Sequence, residues 1–215
     1  MINRIEKKFI LKKNILNDFI NYLEIKKKMK KKFLDRKINS IYFDNINNKF
    51  VLENLEGFAK RVKLRFRWYN QNEKMISHEI KIKKGNKTKK IIKKINLEKS
   101  IFDILKNGDL EKFIDIKFKI EDKFRPSCMI SYDRSYYLSN LCRITIDNNI
   151  KYFDINNSKL NPKFFKDDLI VVELKINEED FDSFFETDFN LGSLINVRMS
   201  KYMRARSFFL NFEYF

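Results

Sequence analysis

One histidine, two cysteines, two prolines and four glycines are spread over 215 residues, and each scarcity removes a class of answer. Cys128 and Cys142 form no metal-spaced cluster and no disulfide framework, so they read as small core residues. Low glycine and proline exclude collagenous and linker-like segments. The longest apolar runs, such as "LIVV" at 169–172, fall far short of a membrane span. The start, "MINRIEKKFI", has no apolar h-region, so no secretory signal is expected and the cytoplasm is the default compartment. "KKGNKTKK" at 83–90 lacks the G-x-x-x-x-G-K-[ST] spacing of a phosphate loop.

What is present is core material and positive charge. A 43% hydrophobic content with 22 phenylalanines can bury a substantial core. The formal net charge of +17 points to an anionic partner. Total charge is blunt, because the chain is saturated with Lys, Asn and Ile. "KKKMKKK" at 26–32 reads as a solvated helix face or loop. The placement of the charges says more.

"KRVKLRFRWY" at 60–69 puts Arg61, Lys63, Arg65 and Arg67 on one side of a strand, with Val62, Leu64, Phe66 and Trp68 on the other. On a strand these cations stand about 7 Å apart. The same period of two recurs along the chain. It aligns Arg4, Glu6 and Lys8 (strand 4–11), and Ser40, Tyr42 and Asp44 (38–45). It aligns Glu79, Lys81 and Lys83 (77–84), with a turn at "GNKT" leading into a hairpin partner at 89–97. Tyr132 and Arg134 (127–138), Arg143, Thr145 and Asp147 (141–149), and Glu173 and Lys175 (169–176) follow the same rule. Helical spacing predicts helices over 14–30, over 100–114 with Ser100 as N-cap, and over 178–187, with a terminal segment holding "RMSKYMRARSFF". His78 falls on an apolar parity and reads as structural, and "FDSFF" as a core helix. No linker divides these pieces, so residues 1–215 read as one domain.

Charged residues at strand centres run against β-propensity. In an ordinary half-buried sheet they would face water. In a closed barrel they would crowd a lumen, where repulsion and desolvation penalise them unless a polyanion is bound.

The ordered set "RIEKKFIL", "SIYFDN", "KLRFRWY", "HEIKIKK", "SYDRSYY", "CRITIDNN", "VVELKI" and "MSKYM" resembles the vacuolar transporter chaperone (VTC) domain of the triphosphate tunnel metalloenzyme, or CYTH, superfamily. The resemblance implies an α+β fold: an eight-stranded antiparallel β-barrel tunnel with flanking helices. It implies a polyphosphate polymerase that moves the terminal phosphoryl of ATP onto inorganic polyphosphate with Mn2+ or Mg2+. It assigns catalytic contacts to Arg65, Arg67, Lys81, Arg134, Arg143 and Lys201. Substrate contacts fall to Lys8, Arg198, Ser200 and either Lys94 or Lys93, and metal binding to Glu173. Bidentate pairing gives arginine its advantage over lysine on phosphate.

Triphosphatases of the superfamily begin with Glu-x-Glu-x-Lys, whereas this chain has Arg4 first. The change favours the polymerase branch over its alternative, a triphosphatase or short-chain polyphosphate hydrolase. The phosphate-sensing domain and membrane segment of eukaryotic members have no counterpart, so a stand-alone or excised catalytic domain is expected, with a separate membrane partner for translocation. A non-catalytic polyphosphate-binding or RNA-binding module is the competing class. Nucleic acid is disfavoured because Phe66 and Trp68 alternate to the face opposite Arg65 and Arg67, so one surface cannot use both.

Overall fold

The structure, a computed structural model, describes residues 4–85, 87–114, 123–155, 164–185 and 194–214. Its strands are β1 (Arg4–Leu11), β2 (Lys30–Asp44), β3 (Lys60–Tyr69), β4 (Met75–Lys84), β5 (Lys87–Asn96), β6 (Arg125–Leu138), β7 (Cys142–Asp154), β8 (Phe164–Asp167), β9 (Ile170–Asn177) and β10 (Leu194–Asn196). Helices are α1 (Leu16–Asn21), α2 (Lys49–Leu55), α3 (Ile101–Lys106), α4 (Phe181–Phe185) and α5 (Lys201–Leu210). All eight expected strands are there, and β8 and β10 are added. The hydrogen-bonded order is β10-β1-β9-β7-β6-β2-β3-β4-β5, with β8 beside β7. This is the expected antiparallel sheet with flanking helices, but among the described residues no pairing closes β5 onto β10.

The chain divides into two compact units, the first formed by Met1–Lys37, Tyr132–Ile150 and Lys166–Met199. Its core joins Phe9 and Leu11 of β1 to Val172, Leu174 and Ile176 of β9, with Phe19, Leu23 and Phe184 from the helical segments. The second unit holds Ile38–Ser131, Lys151–Phe165 and Ser200–Phe215. Its core contains the edge-to-face pairs Phe43–Phe66 and Trp68–Phe102 and the stacked pair Phe50–Phe124. Among the described residues no helix is long and apolar enough to cross a membrane.

Several boundaries depart from expectation. The helix expected over 14–30 is α1 followed by a π-helical turn at Tyr22–Lys26. Lys28 then turns left-handed (φ 50°) and ends it. The lysines at 30–32 therefore open β2 as its exposed end, rather than a helix face or loop. Lysine carries no apolar period, so nothing in that run distinguishes the two. Ser100 does cap α3, accepting from the Phe102 N–H at 3.2 Å. Gly108 (φ 73°) breaks the expected 100–114 helix, which resumes only as a 3-10 turn at Leu110–Phe113. The predicted 178–187 helix is a 3-10 turn at Glu178–Asp180 and then α4, with 186–187 outside the described residues. Asn86 of the expected "GNKT" turn also lies outside them. Helix α2 was not expected, because it buries only Phe50 and Val51 and shows no repeating period.

Burial makes opposite demands on two apolar residues of the sheet, Phe66 of β3 and Leu34 at the exposed end of β2. Phe66→Ala, at a site with no exposure, should lower unfolding free energy by about 3–5 kcal/mol. Leu34→Ser, at 88% exposure, should stay within about 0.5 kcal/mol. Urea denaturation of the two variants checks the assignment.

Candidate functional site

In the second unit the four cations of β3 share one face of a three-strand ladder. Arg61, Lys63, Arg65 and Arg67 stand opposite Lys83, Lys81, Glu79 and Ser77 of β4. Those residues in turn oppose Thr88, Lys90, Ile92 and Lys94 of β5. On the other side Arg65 and Arg67 meet Tyr42 and Ser40 of β2. Residues directly opposite share a face. Lys94 therefore lies on the cation face, while Lys93 is opposite His78 on the other. On that other face Phe66, Trp68 and His78 are buried, the histidine as a structural residue.

Glu79 organises this face. Its Oε2 accepts from Arg65 Nε (2.8 Å) and Nη2 (2.5 Å), and Arg67 Nη1 lies 4.0 Å away. Lys90 Nζ reaches its Oε1 at 3.2 Å. Arg65 Nη1 donates to the Tyr42 hydroxyl at 2.7 Å, and Arg67 Nε to the Ser40 hydroxyl at 3.3 Å. Burial works against a charged Glu79, yet Arg65, Arg67 and Lys90 outweigh it and bring its carboxyl down from 4.5 to about 2. Burial, the largest influence on Lys90, lowers its ammonium from the usual lysine value despite Glu79.

Lys81 is exposed on the same face, between Lys63 and Lys90 in register. Lys63 Nζ donates to the Ser200 hydroxyl at 2.7 Å. Ser200 is the N-cap of α5, its Oγ accepting from the Met203 N–H, and Lys201 is the first helical residue. The expected Arg65, Arg67, Lys81, Lys94, Ser200 and Lys201 thus all fall in this unit.

In the first unit a second charged face forms on β1, β9 and β7. Glu6 and Lys8 oppose Lys175 and Glu173, which oppose Arg143 and Thr145 on the far side. Lys175 Nζ lies 2.9 Å from Glu6 Oε2 and 3.1 Å from Glu173 Oε1. Lys8 Nζ donates to the Met199 carbonyl at 3.1 Å and sits 3.7 Å from Glu6. Arg134 forms a two-pronged pair with buried Asp147 through Nε (2.5 Å) and Nη2 (2.7 Å). Burial opposes its charge, but Asp147 holds the guanidinium protonated well above its ordinary value. Arg143 and Arg198 are exposed.

Among the described residues no three His, Cys, Asp or Glu side chains gather as a metal cluster. Glu6 and Glu173 nevertheless converge on one positive charge, the Lys175 ammonium. Beside them in register, the buried Thr145 hydroxyl has no hydrogen-bond partner among the described residues. Two carboxylates and a hydroxyl are hard oxygen donors of the kind Mg2+ and Mn2+ take. The donor set fits such an ion, on condition that Lys175 yields its place.

Tyr42, Asp147 and Lys175 were aligned on these faces by the sequence but given no role, and Lys90 was not singled out. Strand parity carried a signal for each, since Lys90 has the parity of Lys94 and Lys175 that of Glu173. Which carboxylate each would meet depended on register.

The sheet and its flanking helices share their fold with proteins of known structure. A Hippeastrum protein described as a putative adenylyl cyclase with a dominant triphosphatase activity is 13% identical over 95% of both chains, with a TM-score of 0.57. A putative adenylate cyclase from Bacillus halodurans is 12% identical over 89% of this chain and 96% of its own, with a TM-score of 0.52. No curated protein matches in sequence. The VTC domain profile matches residues 3–210, through both units. The chain belongs to the VTC domain family.

The depressed Glu79 carboxyl fixes a pH dependence. A carboxyl lowered on folding lends stability above its unfolded value, near 4.5, and loses it as pH falls towards 2. Glu79→Gln should therefore be less stable than the parent at pH 7, by up to about 3 kcal/mol. The gap should narrow steadily below pH 4.5. Urea titrations across that range measure it, and a gap that does not change with pH contradicts the assigned cause.

Proposed function

We propose that the chain is a metal-dependent polyphosphate polymerase. An oxygen of the terminal phosphate of a polyphosphate chain attacks the γ-phosphorus of ATP. The bond from that phosphorus to the β–γ bridging oxygen breaks, ADP leaves, and the chain is one phosphate longer. Such a transfer needs positioning and charge compensation more than covalent help. The observation that carries the reading is the ladder face of Arg65, Arg67, Lys81, Lys90 and Lys94, on which Glu79 meets both arginines and Lys90. A chain of phosphates supplies the negative charge that this face lacks.

Arg65 and Arg67 are proposed to grip phosphates through paired N–H donors, with Lys81 and Lys94 as point charges beside them. Ser200 and Lys201 offer the start of a ten-residue helix, where N–H groups and the helix dipole favour an anion. In the other unit Lys8, Arg143 and Arg198 are assigned to substrate. Arg134 is assigned there too, with its guanidinium orientation set by Asp147. Glu173, with Glu6, would hold Mn2+ or Mg2+. When bound, the ion compensates charge on phosphate oxygens. The same reading takes the chain as one cytoplasmic domain, with translocation left to a separate membrane partner.

The second reading, hydrolysis of triphosphate or short polyphosphate, draws on the activity ascribed to the Hippeastrum protein. Against RNA binding, Phe66 and Trp68 are buried and give no stacking platform beside the arginines.

Incubation with ATP and Mn2+, followed by gel electrophoresis of the products, separates these readings. Long polymer with ADP release is expected. Inorganic phosphate alone supports hydrolysis, and tripolyphosphate binding without turnover supports a passive module. Arg65→Ala and Arg67→Ala should each cut turnover by about 100-fold or more while staying folded. Glu173→Gln should abolish metal-dependent turnover yet keep polyphosphate affinity. Full activity per folded molecule in that variant would remove Glu173 from the site.

A further inference from the structure

Arg65 is fixed from two directions by partners of different kinds. Glu79 takes Nε and Nη2, while the neutral Tyr42 hydroxyl takes Nη1. An incoming phosphate competes with Glu79 for the same N–H groups, because both are anions. The phenol carries no charge and is no such rival. It is the partner that can keep the guanidinium in place while its anion is exchanged.

Tyr42 is itself braced from below. Its ring stacks on that of Tyr202, with centroids 5.2 Å apart and planes 22° from parallel. The Tyr202 hydroxyl donates to Asp44 Oδ2 at 2.5 Å. Asp44 ends β2 and is 1% exposed. Its other bonds come from backbone N–H groups: Asn45 (2.8 Å) and Phe50 (2.9 Å) to Oδ1, and Val51 (3.3 Å) to Oδ2. Asn48, the residue before α2, gives no side-chain cap, so Asp44 caps that helix from four residues upstream. Burial and the Asp44 carboxylate keep the Tyr202 hydroxyl protonated well above the usual tyrosine range, so it remains a donor.

A helix cap needs only the amides. The fourth bond, from a tyrosine 158 residues away in sequence, does something a cap does not require. It locks the first turn of α5, and with it the ring beneath Tyr42, to the end of β2.

We infer that Asp44 is a positioning residue for Arg65, acting through the rings of Tyr202 and Tyr42 from a buried place beyond the reach of any substrate. The inference rests on the reading of Arg65 as a phosphate-gripping residue.

Calorimetric titration with tripolyphosphate tests it, using the parent, Tyr202→Phe, Asp44→Asn, Arg65→Met and the double variants. Tyr202→Phe keeps the stacked ring and removes the tether together with the hydroxyl's contact to Ser127, and Asp44→Asn keeps one of the two oxygens that accept from the α2 amides. Each should weaken binding about tenfold, the size of one lost hydrogen bond to a charged group. In the Arg65→Met background the same changes should cost no more than about twofold, since the group they orient is gone. Thermal melts report folding separately. A merely structural role predicts lower melting temperatures with affinity unchanged, or a loss that adds in full to that of Arg65→Met. Either outcome overturns the inference and leaves the functional reading standing. A folded parent with no affinity for tripolyphosphate would instead overturn the functional reading, and the inference with it. Should the first two variants fail to fold, Tyr42→Phe breaks the same chain at its upper end and must show the same coupling.

Discussion

Like charge held at close quarters is the constraint around which the second unit is arranged. Arg61 opposite Lys83, Lys63 opposite Lys81 and Lys81 opposite Lys90 are cross-strand pairs of the kind that destabilise a sheet. The ladder nevertheless forms because the other face of β3 and β4 is buried, with Phe66, Trp68 and Ile76 essentially without exposure. Glu79 then draws both arginines and Lys90 to one carboxylate. Repulsion on one face is tolerated because burial on the other sets the register. A polyanion on the charged face would relieve what the fold alone cannot.

The first unit solves a related problem differently. Its charged strands interleave carboxylates and cations, so that Glu6 meets Lys175 and Glu173 meets Lys8 directly across β1 and β9. Arg134 finds its counter-charge within the protein, in Asp147. The facing positions of β1 and β9 alternate carboxylate and ammonium, whereas on β3 to β5 a single carboxylate, Glu79, meets three cations. This difference divides the proposed labour: the phosphate-gripping ladder in one unit, and carboxylates for a divalent ion in the other.

Much of this was legible in the sequence because strand parity is a local property. The bounds of β1 and β3 fall where alternation places them, and the faces of Arg65, Arg67, Glu79 and Glu173 follow from odd and even numbering alone. Register is not local. Lys90 joins Glu79, and Lys94 rather than Lys93 joins the cation face, only because β5 pairs with β4 in one register, from Lys84 opposite Lys87 to Met75 opposite Asn96. The short strands β8 and β10 are pinned by their neighbours rather than by their own four and three residues. Asp44 shows the same limit: parity aligned it with Tyr42 on one face, but its bonds join it to α2, which carries no sequence period, and to Tyr202 of α5, 158 residues away.

The central claim is that the guanidinium groups of β3 close on a chain of phosphates. The arginine Nε–Hε resonances report it most directly, followed by nuclear magnetic resonance as tripolyphosphate is added to the folded protein. The account predicts that the Arg65 and Arg67 signals shift and sharpen to saturation, while that of Arg206, buried against the Ser127 carbonyl and Asn48, stays where it was. Unchanged Arg65 and Arg67 signals at a concentration that saturates binding would contradict it.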